Sequence, residues 1–175
     1  MTDDGAGPAP VAGEVPASAA SGDGHARFLA DAAAHGIDVQ VAERGRARSL
    51  EEAAANLGIE PRDIVKSLVV KHPDGSFLFA LIPGDRQISW PKLRGLLGVN
   101  RLSMPPADVA LAATGYERGT ITPLGSSTPW PVWADASISG RISLGAGAHG
   151  LSAFVDASEL LAALGATIAD ISEPA

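Results

Sequence analysis

The chain has 175 residues, 46% of them hydrophobic and 19% charged, which is enough apolar material for one folded domain and too much for a wholly disordered chain. It has no cysteine, which excludes disulfides, thiolate metal sites and a cysteine nucleophile. The net charge of −7 falls to −3 once the four acids of the first two dozen residues (Asp3, Asp4, Glu14, Asp23) are set aside, so net charge argues only weakly against a nucleic-acid partner.

Residues 1–24, MTDDGAGPAPVAGEVPASAASGDG, are Ala, Gly, Pro, Ser and acid. They lack the basic start and continuous apolar run of a secretory leader, so a disordered tail is expected there, followed by one domain over 25–175. No apolar run approaches the roughly 20 residues that a bilayer span needs. HARFLADAAAHG (25–36) predicts a helix with Phe28, Leu29, Ala32 and Ala33 on one side and Gly36 as its stop. IDVQVA (37–42) alternates like a half-buried strand, and ERGRARS (43–49) is a basic loop. In SLEEAAANLG, Ser49 and Glu52 stand at capping-box spacing and Gly58 closes the helix. Pro61 starts a short turn. IVKSLVVKH (64–72) and SFLFALIP (76–83), separated by PDG, predict a hairpin. WPKLRGLLG (90–98) reads as a short helix, RLSM (101–104) as a brief strand and PPADVALAA (105–113) as a helix. Three short strands follow, WPVWAD (130–135), RISLGA (141–146) and LSAFVD (151–156). DASELLAALG is a helix with Asp156 and Glu159 at capping spacing, and ATIADIS (166–172) a last strand. This order is not the strand–helix alternation of a doubly wound sheet. It predicts an α+β fold: a single-domain mixed, mainly antiparallel sheet with helices around it.

Several familiar chemistries have no motif here. There is no G-x-G-x-x-G, no G-x-x-x-x-G-K-[ST] and no G-x-S-x-G. His25, His35, His72 and His149 do not pair at metal-ligand spacing, so neither a metal nor a cofactor is expected. Two features stand out. Lys66 lies inside an apolar strand, where period two puts it with Leu68 and Val70 on one face, and Val65, Ser67 and Val69 on the other. It reads either as a snorkelling or edge-strand lysine or as a cation at the mouth of a pocket for phosphate or carboxylate. The loop TGYERGTITPLG (114–125) reads either as a tight connection or as a wall of backbone N–H groups that ligands approach closely for want of side chains. Arg44, Arg46 and Arg48, and then Arg86, Lys92, Arg94 and Arg101, form two basic groups that suit phosphates or a solvated face. Trp90, Trp130 and Trp133 suit core packing or stacking on a base.

Taken in order and with their spacing, EEAAANLGIEPRDIVKSLVV, LRGLLGVNRLSM, TGYERGTITPLG, Asp135 in WPVWADASI and ISLGAGAHGL resemble the YbaK/prolyl-tRNA-synthetase-associated editing domain family. The resemblance runs from Arg27 to Ser172. It implies a trans-editing enzyme of the cytoplasm that hydrolyses the ester of a wrong amino acid on tRNA, commonly Cys or Ala on proline tRNA. Its partners would be the acceptor end of an aminoacyl-tRNA and a prolyl-tRNA synthetase, with no membrane and no metal. By the resemblance, Lys66 orients the terminal adenosine, its phosphate or the aminoacyl group, and Gly119 and Thr120 complete the catalytic set. Thr114, Gly115, Tyr116, Pro123, Leu124 and Gly125 belong to the substrate-binding loop. Gly147, His149 and Gly150 belong to a late turn that closes the pocket, with Asp135 beside it. The nucleophile is the substrate's own thiol or a positioned water. The chain departs from the family pattern at Gly119-Thr120, where many members have Gly-Gly, and at Gly147-Ala148-His149-Gly150, where Gly-Lys-Arg-Gly is common. VQVAERGRARS also lacks the aromatic many members carry on the early strand. These departures keep a second reading open, a catalytically weak module that binds tRNA or a synthetase.

Overall fold

The computed structural model describes residues 17–175, so residues 1–16 of the expected tail lie outside the described residues. Helix α1 spans Ala17–Ala34 and therefore starts well before His25. The Ala-rich run ahead of Gly24 has little helix cost, and composition alone hid that. The buried stripe of α1 is Gly24, Phe28 and Ala32, spaced four apart, while Leu29 and Ala33 are exposed. From Asp23 onward the fully buried positions form one narrow stripe, flanked by the half-buried His25, Arg27 and Asp31, so the broader apolar face expected from the sequence is corrected.

Strand β1 covers Gln40–Glu43 and pairs with β7, and its Val41 is exposed. Helix α2 spans Leu50–Leu57 as expected. The Ser49 hydroxyl accepts the Glu52 N–H at 3.1 Å, and the Glu52 carboxylate accepts the Arg48 N–H at 3.0 Å, one residue earlier than the usual box. Gly58 closes α2 at φ 69°. A 3-10 turn at Pro61–Asp63 leads into the expected hairpin, β2 (Val65–Lys71) and β3 (Phe77–Pro83), in register from Val65↔Pro83 to Lys71↔Phe77. Strand β4 (Arg86–Ile88) was not foreseen, being three residues with two polar ones. Helices α3 (Trp90–Leu97) and α4 (Ala107–Thr114) follow, and the strand expected at 101–104 shrinks to one bridge, Lys71–Ser103. Next come β5 (Val132–Asp135), β6 (Arg141–Gly145) and β7 (Leu151–Asp156). Helix α5 (Ala157–Ala163) is capped by Asp156, whose carboxylate accepts the Glu159 N–H at 3.0 Å. The last run splits into β8 (Thr167–Ala169) and β9 (Ser172–Pro174).

The strands form a four-stranded sheet β2-β3-β5-β8, a three-stranded sheet β1-β7-β6 and a ribbon β4-β9. Among the described strand pairs, β3–β5 and β5–β8 are parallel and the others antiparallel, so the fold is α+β and mainly antiparallel. The two larger sheets meet where Ile64 bridges Ser143. Alternation along β2 divides the core in two. Val65 and Val69 face Phe28 of α1, β6, β7 and α5, while Val70 faces Leu93 of α3 and the β4–β9 ribbon. All three tryptophans go to packing: Trp130 borders the first core, Trp90 and Trp133 the second. Lys66 therefore sits near the start of β2, next to the seam between the sheets.

Candidate functional site

A cavity of about 540 Å³ opens at that seam, between the start of β2, the loop after α4, β6 and the Met104–Ala107 approach to α4. Its wall is mainly apolar, with Ile64, Val65, Leu68, Ile121 and Leu144 among its residues. The ionisable side chains that line it, Arg44, Lys66 and Arg118, are all cations. A second cavity of about 1050 Å³ shares Arg44, Ile64, Lys66 and Ser152 with the first and extends under the basic loop to α2, adding Glu43, Arg46 and His149. Arg44 and Lys66 thus stand on the boundary of one continuous cleft. Cations beside an apolar wall suit a ligand with an anionic part and a small apolar part.

Lys66 is held rather than free. Its ammonium donates to the Arg86 carbonyl at 2.5 Å. Burial lowers its pKa, and the nearby Asp85 carboxylate offsets part of that. An ammonium has three donors, so this tether leaves donors for a ligand. Arg44 bridges two loops: its backbone N–H donates to the Gly150 carbonyl at 2.9 Å and its guanidinium to the Gly119 carbonyl at 3.0 Å.

Part of the wall of N–H groups that the sequence suggested for the glycine-rich loop is spent on hydrogen bonds within the protein. The Gly115 N–H donates to the Leu111 carbonyl, the Tyr116 N–H to the Thr114 hydroxyl, the Thr120 N–H to the Glu117 carbonyl and the Gly125 N–H to the Asp31 carboxylate. Tyr116 is buried and its hydroxyl donates to the Leu124 carbonyl at 2.6 Å; burial pushes its pKa up to about 12. The Thr114 hydroxyl donates to the Ala110 carbonyl at 2.8 Å and the Thr120 hydroxyl to the Glu117 carbonyl at 2.8 Å. Thr114, Gly115, Tyr116, Thr120, Pro123, Leu124 and Gly125 therefore shape the loop, and none of them lines either cavity. From this loop only Arg118, Gly119 and Ile121 reach the first cavity.

Asp135 is not beside the late turn either. The parallel pairing of β5 with β8 sets it opposite Ala169, whereas the late turn joins β6 to β7 in the other sheet. Burial pushes the Asp135 pKa up, but hydrogen bonds from Ser137, Ser172 and the Ile171 N–H outweigh this and hold it below the usual carboxylate value. Its role is to tie the end of β5 to the segment before β9. In the late turn, His149 and Gly150 line the second cavity and Gly147 does not. The Gly147 N–H donates to the Thr120 carbonyl at 3.2 Å. The exposed His149 ring lies 2.9 Å from the Glu117 carboxylate, so it links the late turn to the glycine-rich loop.

Of the residues expected from the sequence, the structure brings together Lys66, Gly119, His149 and Gly150. It adds Arg44, which the sequence placed in a basic group suited to phosphates or a solvated face, and Arg118, whose charge inside a glycine-rich loop was a usable signal. It also adds Met104, Pro105 and Pro106, and the hydroxyls of Ser67 and Ser143, buried without a hydrogen-bond partner. Nothing in a strand pattern distinguishes those two serines. Among the described residues, no group of three or more His, Asp or Glu is placed to hold a metal ion, and no helix is long and apolar enough to cross a membrane.

The model of the aminoacyl-tRNA editing domain matches residues 44–163. The proline–tRNA ligase of Bacillus licheniformis is 32% identical over 102 residues, which is 58% of this chain and 18% of the ligase. That of Thermosipho africanus is 42% identical over 79 residues, 45% of this chain and 14% of the ligase. The chain thus spans under a fifth of the length of these relatives. A crystal structure provisionally described as a trans-editing enzyme for prolyl tRNA synthetase superposes with a TM-score of 0.79 at 27% identity, covering 86% of this chain and 97% of that one. A solved hypothetical protein superposes with a TM-score of 0.76 at 26% identity, covering 84% and 99%.

Proposed function

The chain belongs to the aminoacyl-tRNA editing domain family, and from that premise we propose that it is a deacylase acting in trans on mischarged proline tRNA, with Cys- and Ala-tRNA(Pro) as its first candidates. The observation that carries this reading is the cleft itself, a largely apolar cavity whose charged lining residues are Arg44, Lys66 and Arg118. The 3′ end of a charged tRNA has the matching chemistry, phosphates next to an aminoacyl ester. The small acyl side chain enters the first cavity. The terminal nucleotide lies across Arg44 and Lys66, and the chain leading to it follows the second cavity along Arg46 and His149. Lys66, tethered by one proton, offers its others to the ester or the adjoining phosphate.

Hydrolysis needs no nucleophile from the protein. A water oxygen adds to the ester carbonyl carbon, the bond to the ribose oxygen breaks and the proton passes to that oxygen, leaving free amino acid and uncharged tRNA. For a cysteinyl ester the substrate thiol takes the place of water: its sulfur bonds to the carbonyl carbon, the bond to the ribose oxygen breaks, the thiol proton passes to that oxygen, and water then opens the cyclic thioester to free cysteine. The ester is already activated, so holding it against fixed donors supplies the remaining acceleration. Gly119 brings main chain to the reacting centre without a side chain. A prolyl-tRNA synthetase that misacylates would supply the substrate, in the cytoplasm.

The test is a panel of Cys-, Ala-, Ser- and Pro-tRNA(Pro) incubated with the protein, with release of amino acid measured. Release from the Cys or Ala ester, with the Pro ester spared, is expected. Tight tRNA binding with no release from any ester would replace this reading with that of an accessory binding module.

A further inference from the structure

Helix α1 lies ahead of the residues that match the editing domain, yet two of its side chains grip both ends of the glycine-rich loop. Arg27 donates to the Gly115 carbonyl at 2.6 Å and to the Gly125 carbonyl at 3.3 Å. Its guanidinium also lies 4.9 Å from the centre of the Tyr116 ring. The Asp31 carboxylate accepts the Gly125 N–H at 2.7 Å. Residues 27 and 31 are one helical turn apart and so share a face. Neither lines the cleft, and neither belongs to the apolar core, which Phe28 and Ala32 enter instead.

We propose that Arg27 and Asp31 are positioning residues, which set where Arg118, Gly119 and Ile121 stand relative to Lys66. The inference rests on the deacylase reading above. Arg27 spans two carbonyls that bracket the loop, a task for a planar fork of donors that lysine does not share. The bonds run from charged groups to backbone, the stronger class of hydrogen bond. At Gly125 the fit leaves no tolerance: a Cβ there would stand 2.5 Å from the Tyr116 hydroxyl and 2.6 Å from the Arg27 backbone. The same helix also reaches the late turn, where the His25 ring lies 2.7 Å from the Ala146 carbonyl. One helix thus fixes both loops that border the cleft, while its Phe28 and Ala32 pack into the core.

The test uses Arg27→Met, Arg27→Lys and Asp31→Asn in the full chain. It measures deacylation of the preferred mischarged tRNA, thermal unfolding, and amide hydrogen exchange. A loop displaced by about 1 Å predicts a fall in kcat of about tenfold to a hundredfold with KM changed less than about threefold. Both Arg27 variants should show it, since lysine cannot restore the fork. Exchange should accelerate at residues 115–125 and stay unchanged in the β2–β3 hairpin. Wild-type kcat in both Arg27 variants, or exchange that rises evenly through the molecule, would overturn the proposal. If the Arg27 variants do not fold, the isosteric Asp31→Asn decides in the same way. If the wild-type protein releases no amino acid at all, the deacylase reading fails. The exchange comparison then decides alone: local acceleration supports α1 as the positioner of the loop, and unchanged exchange overturns it.

Discussion

At the scale of single residues, Lys66 holds its charge against its surroundings. Burial favours the neutral amine, and Asp85 restores only part of the balance. A lysine whose folded pKa lies below its unfolded value weakens folding while it is protonated in both states, and that penalty fades as pH climbs through the folded value towards the ordinary 10.5. Lys66→Met should therefore raise stability to urea at neutral pH, with the gain shrinking as the pH is raised. Lys66→Ala should remove most deacylase activity and leave the circular dichroism of a folded protein. Wild-type turnover in that variant would take Lys66 out of the mechanism. Tyr116 has the opposite character: its neutral phenol is the form the fold uses, and stability drawn from it declines as pH rises from 10.0 to about 12. Tyr116→Phe strands the Leu124 carbonyl in the interior and should cost about 1–3 kcal/mol, read from urea unfolding. Lys66 could be singled out in the sequence because a cation in an apolar strand breaks the local pattern. The task of Asp135 could not, because its partner Ile171 is 36 residues away.

At the scale of elements, what is encoded locally is what the sequence reveals. The hairpin, the Ser49 and Asp156 caps and the Gly58 stop each depend on residues within a few positions of one another, and all are found where they were expected. Strand β4 exists through its pairing with β9, a partner 86 positions later at Gln87 and Glu173, and no short window holds that information. The glycine-rich loop is a similar case. Its glycines announced an unusual backbone, but the hydrogen bonds that anchor it come partly from α1 and partly from its own buried ends. Gly125 puts the loop's rigidity to a direct test. Its φ is +76° and a Cβ would meet backbone, so Gly125→Ala should lower the thermal midpoint substantially and reduce activity. An unchanged midpoint would show that the loop gives way where the structure has it clamped.

For the molecule as a whole, the acidic net charge conceals a cationic cleft. A charge of −7 is spread over the chain, while Arg44, Lys66 and Arg118 converge on one cavity, and the local field is what an approaching phosphate meets. Composition could not show that convergence, since it requires the basic loop, β2 and the glycine-rich loop to be folded against one another. The resemblance found in five separate stretches of sequence did indicate the family and the α+β class. It carried over too much at the level of single residues, because buried loop-shaping positions and cleft-lining positions are quoted together in one motif. The central claim is that this cleft removes a wrong amino acid from proline tRNA. The most direct measurement is the rate of amino-acid release from Cys-, Ala- and Pro-tRNA(Pro) under single-turnover conditions, wild type against Lys66→Ala. The account predicts fast release of the Cys or Ala ester by the wild type, a spared Pro ester and near-spontaneous rates for the variant. Spontaneous rates for every ester with the wild-type protein, tRNA binding being intact, would contradict it.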